Sequence, residues 1–155
     1  MSDTHMPRGT RRLPRRCLRL LQEADRILHA GDVVALSVLE DLRRLAPVDA
    51  VAGNMDQPDL QALLPATLVV ELEGVRIGMV HDAGPARGRA ERLVAAFPGC
   101  DAVVYGHTHV PDATRFGDVW ILNPGSPTER RSAPHHAMLV LEIADDTLDV
   151  RTYVL

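Results

Sequence analysis

At 155 residues, with 46% hydrophobic and 25% charged side chains, the chain has the composition of one ordinary globular domain, spanning 1–155 and large enough to bury a core. A net charge of −4 and a pI near 5.9 give it no global attraction for nucleic acid or an anionic membrane. Its two cysteines, Cys17 and Cys100, argue against a disulfide framework or a thiolate zinc cage, and no apolar run approaches the ~18 residues of a membrane span, so the expected compartment is the cytoplasm.

In chain order, MSDTH places Asp3 and His5 two residues apart, a spacing that aims both side chains to one face of an extended segment. MPRGTRRL reads as a loop punctuated by Pro7 and Gly9. Pro14 opens a helix running to about Glu23, with Cys17, Leu18, Leu20 and Leu21 as its apolar side. RILHAGD is a short strand ending in a Gly-Asp turn, and Val34 to Leu45 is an amphipathic helix. VDAVAGN is a second short strand ending in a polar residue after glycine. TLVVELEGVRIGMVHD alternates as a hairpin, residues 85–97 form a further helix, and DAVVYGHTH is an apolar strand running into a His-rich loop. ATRF and VWILN flank a Gly-Asp turn, and a closing hairpin follows from His135. Strands and helices alternate in the front half and antiparallel strands fill the back, a pattern for an α/β domain with helices on the sheet faces.

The polar residues that end these strands form one set: Asp3, His5, Asp32, Asn54, His81, His107 and His109. Sites in open α/β sheets are built at strand ends of this kind. The set is too large for one metal and suits two if a ligand bridges. Asp32 is the natural bridge, because the two oxygens of a carboxylate can each take a cation. Nitrogen and oxygen donors without sulfur suit Mn, Fe, Co, Ni or Zn.

SDTH, GD, GN, a strand ending in His, GHTH and NPGS, in this order across residues 2–126, resemble the calcineurin-like metallophosphoesterases. They look most like the small branch that contains bacterial and archaeal phosphodiesterases and the scaffold subunit of the retromer coat. The resemblance implies a four-layer α/β sandwich of two mixed sheets flanked by helices. It implies one metal on Asp3, His5, Asp32 and His109 and another on Asp32, Asn54, His81 and His107, with manganese the first candidate. The expected function is that of a dinuclear phosphoesterase, above all a phosphodiesterase, in which a hydroxide held between the cations attacks phosphorus in line. Asp32, Asn54 and His107 would then act in catalysis.

Two positions depart from the family pattern. Met55 stands where larger members carry a histidine after GN, so protonation of the leaving group has no evident owner. The family also sets an apolar strand directly before SDTH, so the first central strand looks truncated here. The expectation is that Met1 holds its last position and that the gene encodes roughly five to eight further apolar residues upstream.

Arg8, Arg11, Arg12, Arg15, Arg16 and Arg19 form a basic patch beside the first motif. Arg11 and Arg12 are the candidate contacts for a small phosphate ester, since guanidinium matches phosphate geometry. Without aromatic interleaving, nucleic acid is a poor fit as substrate. The expected partners are therefore a phosphate ester, no membrane, and at most a second copy in a homo-oligomer. His29, inside a strand, reads as a core residue. The competing reading of the whole chain is a protein-docking scaffold of the same fold with little catalysis.

Overall fold

A computed structural model describes residues 1–155 of the protein. The elements follow in the order α1 (Arg15–Glu23), β1 (Ile27–His29), α2 (Leu36–Arg43), β2 (Val48–Ala50), α3 (Pro58–Leu63), β3 (Thr67–Leu72), β4 (Val75–Val80), α4 (Arg89–Ala96), β5 (Ala102–Tyr105), β6 (Asp112–Phe116), β7 (Val119–Asn123), β8 (Ala137–Ala144) and β9 (Thr147–Val154). A five-stranded mixed sheet of order β3-β4-β5-β7-β6 forms the centre. Its middle strands pair in parallel, and antiparallel β3 and β6 close its edges.

Period-2 alternation gives this sheet two buried faces. Ala102 and Val104 of β5 pack with Ile77, Met79 and Leu122 toward Leu139 and Leu148 of the closing hairpin. Val103 and Tyr105 point the other way, onto Leu93 and Phe97 at α4. On the far side of β1, β2 and β8, Cys17 and Leu21 of α1 pack with Ile27, Leu42 and Met138. Leu60 of α3 joins Leu39 of α2 and Val33. The layers are thus α1–α3, then β1–β2 with β8–β9, then the five-stranded sheet, then α4. No helix is long and apolar enough to cross a membrane.

Two details differ from the sequence reading. Leu18, assigned to the apolar side of α1, is 36% exposed, and the buried stripe is carried by Cys17 and Leu21. The expected second mixed sheet is in two pieces, a parallel β1–β2 pair and an antiparallel β8–β9 pair. No strand ladder runs between them. Instead Met1–His5 lies along β1: the Met1 nitrogen donates to Leu28 O (2.7 Å), Ala30 N–H to Met1 O (2.9 Å), and Asp3 N–H to Gly31 O (3.0 Å). Beyond Met1 a slot of about 680 Å3 separates β1 from β8, lined by Ile27, Leu28, Ile77, Val104, Leu139 and Leu141 together with charged residues that include Glu71, Glu73 and Glu142.

Candidate metal centre

Five of the seven strand-end residues take left-handed backbone: Asp3 (φ 55°), His5 (46°), Asp32 (58°), His107 (67°) and His109 (62°). Non-glycine residues rarely adopt this region, and they do so mainly where the surrounding structure fixes them at a site. Asp3 and His5 therefore do not follow the regular extended period expected from their spacing, although their N–H groups still bond Gly31 O and Asp32 O beside the end of β1. Glycines let the loops close on one another. A Cβ on Gly53 would lie 2.1 Å from the Asp32 amide nitrogen, and one on Gly31 2.6 Å from the His81 ring.

Asp3, His5, Asp32, His81 and His109 are buried, His107 is half-buried and Asn54 is exposed at the mouth. His5 Nε2 lies 3.2 Å from His109 Nε2, 3.8 Å from Asp3 Oδ1 and 3.6 Å from Asp32 Oδ2. His109 Nε2 lies 3.3 Å from Asp3 Oδ1. On the other side, His81 Nε2 lies 3.4 Å from Asp32 Oδ2 and 3.0 Å from Asn54 Oδ1, and His107 Nδ1 lies 3.1 Å from that same Oδ1. All seven meet at one place, with Asp32 between the two sides.

Asp32 Oδ1 accepts the Met55 N–H at 2.7 Å, while Oδ2 faces both His5 and His81. Asp3 is used the same way: Oδ2 accepts the His107 N–H at 3.0 Å and Oδ1 points inward. Asp3 Oδ1 and Asp32 Oδ2 are buried without any hydrogen-bond partner. An orphaned buried carboxylate oxygen is costly unless a cation meets it. The imidazoles complete the argument. His81 Nδ1 donates to Ala30 O (2.8 Å) and His109 Nδ1 to Glu129 O, which leaves both Nε2 lone pairs turned into the same space. Acceptors facing acceptors at these distances fit a divalent cation. Asp3, His5 and His109 form one group able to hold one, and Asp3, Asp32 and His81 another.

Without an ion, protons take its part. Burial works against the charged form of His81, yet the close approach of Asp32 and its negative charge outweigh it and raise its pKa. Burial would raise the carboxyls of Asp3 and Asp32, but His109 for the first and His81 for the second hold them below the usual range. His5 is pushed down by burial in spite of both carboxylates. Cation and proton thus compete for the same lone pairs.

The residues match the calcineurin-like phosphoesterase superfamily domain over positions 1–146. The chain belongs to this family. It is 36% identical over 151 residues to a probable metallophosphoesterase of Methanothermobacter thermautotrophicus, covering 96% of this chain and 87% of the relative. Its fold is like that of Vps29 from Entamoeba histolytica in complex with zinc (TM-score 0.75, 23% identity, 99% and 96% of the two chains). It is similarly like that of an archaeal phosphodiesterase (TM-score 0.77, 22% identity, 100% and 97%). The family binds divalent metals, and this member keeps a donor set that fits them.

Around the centre, Asp56 is 5% exposed and clamps two loops, accepting N–H bonds from Val34 and Gly53 at 2.7 Å each. Asp82 and Asp112 lie further out and accept from Gly84 N–H and the Tyr105 hydroxyl. NPGS is a strap: Ser2 Oγ donates to Gly125 O (2.8 Å), Ser126 Oγ to Asp3 O (2.7 Å) and Thr128 Oγ1 to Thr4 O (2.6 Å). Arg11 reaches the rim, where it pairs with Glu129 at 3.1 Å. Arg12 is exposed and makes no hydrogen bond or ion pair. Two rim residues escaped the sequence reading, Glu129 and Arg131; the latter donates to His107 O at 3.1 Å. The charged ERR run directly after NPGSPT was the signal available for both.

His29 is fully buried, with Nε2 3.3 Å from Thr4 Oγ1. Burial first, and the nearby Met1 amine second, push its pKa down from 6.5 to about 3. The folded chain keeps the ring neutral while the unfolded chain protonates it. This stability is complete above pH 6.5 and is lost toward pH 3, at up to about 1.4 kcal/mol per pH unit. His29→Ala should lower the melting temperature by about 5–10 °C through the cavity it leaves. It should also flatten the acid limb of stability while keeping bound metal. Urea unfolding at pH 7.5 and pH 5, with and without chelator, checks both; an unchanged acid limb with lost metal would refute this assignment.

Proposed function

We propose that the protein is a metal-dependent phosphoesterase, a phosphodiesterase in the first instance, with two divalent transition-metal ions and manganese as the first candidate. The observation that carries this reading is the pair of orphaned buried oxygens, Asp3 Oδ1 and Asp32 Oδ2, set among imidazole lone pairs. Asp3, His5, Asp32 and His109 would hold one ion, and Asp32, Asn54, His81 and His107 the other. Bound there, such a pair would supply a hydroxide nucleophile at neutral pH and positive charge toward the phosphate oxygens.

The chain's own residues supply the rest. Asp32 Oδ2 fixes the spacing between the two sides, and the Met55 N–H keeps its carboxylate from rotating. Asn54 and His107, at the open mouth, orient one phosphate oxygen and meet charge as it develops there. Arg11 stands at the rim as a guanidinium that an anionic ester would share with Glu129, its partner at 3.1 Å. No serine or cysteine nucleophile is required.

The test is metal analysis of purified protein alongside hydrolysis of an aryl phosphodiester and an aryl phosphomonoester. Two equivalents of divalent metal and faster diester cleavage are expected. Asn54→Ala and His107→Ala should each slow turnover by about 10–100-fold with little change in melting temperature. Protein that binds no metal would end this reading. Full metal occupancy with no hydrolysis of either ester would favour the docking scaffold instead.

A further inference from the structure

The strap after β7 sets one more carboxylate against the centre. Glu129 is held through its backbone on both sides: its N–H donates to Ser126 Oγ (2.9 Å) and its carbonyl accepts from His109 Nδ1. With the backbone placed, Oε2 falls 3.9 Å from His5 Nε2 and 3.1 Å from the Arg11 guanidinium. The side chain is 30% exposed, so it forms a wall of the mouth and not part of the core.

Two donors bound to one cation at about 2.0–2.3 Å lie roughly 3 to 4.5 Å apart as the angle between them opens from 90° to 180°. The distances from His5 Nε2 to His109, Asp32, Asp3 and Glu129, at 3.2, 3.6, 3.8 and 3.9 Å, all fall in this window. Glu129 stands just outside the group that Asp3, His5 and His109 form, so its partly exposed side chain has to turn inward to join them. We propose that Glu129 is a fifth protein ligand of the cation held by Asp3, His5, Asp32 and His109. This inference rests on the two-metal reading above.

Three carboxylate oxygens and two imidazole nitrogens would make a hard-leaning donor set. Such a set favours manganese or ferrous iron over zinc, which prefers four donors in a tetrahedron. Arg11 has a defined part here. It holds the carboxylate at the mouth by charge-assisted hydrogen bonding and limits its rotation, without touching the ion.

The experiment titrates Mn2+ into chelator-stripped full-length protein and reads free Mn2+ by electron paramagnetic resonance, with Zn2+ competition in parallel. Glu129→Gln, nearly isosteric and at a half-exposed position, should fold normally. It should weaken one of two Mn2+ sites by about tenfold or more and lower the preference for Mn2+ over Zn2+. Glu129→Asp, too short to reach, should behave similarly, and Arg11→Ala should change Mn2+ affinity much less. If Glu129→Gln keeps both wild-type affinities while the wild type binds two Mn2+ and hydrolyses esters, Glu129 is only the ion-pair partner of Arg11. In that case the functional reading survives and this inference does not. If the wild type binds Zn2+ but no Mn2+, this inference falls alone; if it binds neither, both fall.

Discussion

Asp32→Asn is expected to cut ester hydrolysis by at least about 10²-fold and to strip metal from the purified chain. The substitution is nearly isosteric, and an amide oxygen can still accept the Met55 N–H that now binds Oδ1. The loss falls on Oδ2, the single atom facing His5 at 3.6 Å and His81 at 3.4 Å. An amide nitrogen there offers N–H groups to two imidazole lone pairs. It would satisfy them internally and close the space to a cation. The metal-free variant should therefore melt no lower than the metal-free wild type, because one buried charge has been removed. Metal content, turnover and melting temperature in chelator separate these effects. Near-normal turnover with two metals per chain would remove Asp32 from the bridging role.

Gly53→Ala should be as damaging by a different route. The added Cβ would stand 2.1 Å from Asp32 N, 2.2 Å from Asp32 Oδ1 and 2.8 Å from Asp32 Cα. Two of these atoms are backbone, so no side-chain rotation relieves the clash, and the loops after β1 and β2 must part. The Gly53 N–H to Asp56 bond would be strained with them. Overpacking of this kind costs about 1–3 kcal/mol, and the fixed neighbours place it at the upper end. Metal occupancy should fall because Asp32 moves. Gly117→Ala is the control: its φ of +60° makes alanine unfavourable by about 1 kcal/mol, but nothing lies within 4 Å and the site is distant. A Gly53→Ala protein as stable and as metal-loaded as the wild type would refute the close-approach argument.

Much of the site was legible because Asp32, Asn54, His81 and His107 each end an apolar run, three of them directly behind a glycine. Asp32, Asn54, His81 and His107 could be placed at strand ends from local pattern alone. What they do there was less legible, since it depends on which atoms the neighbouring loops have already taken. Met55 N–H occupying one oxygen of Asp32 is a contact across 23 residues, and no spacing rule reveals it. Glu129 was missed for the same reason: it joins the centre only because three hydroxyls fold its loop onto the first residues of the chain. α3 went unread because six residues are too few to display a helical period, although Pro58 stands at its first turn. Leu18 was misplaced because a nine-residue helix has a narrow buried stripe, and a third leucine at its border cannot be ranked by pattern.

The strap of hydroxyls has its own consequence in acid. Ser2, Ser126 and Thr128 carry no charge, so the bonds that fasten the loop after β7 to the chain's first residues do not titrate and are not screened by salt. The donor set that they position does titrate. As pH falls, protons displace cations from the imidazoles and carboxylates while the scaffolding beneath them stays tied. Returned to neutral pH, the chain meets metal with its loops still in register, so reloading should run at the speed of ion binding and not of refolding.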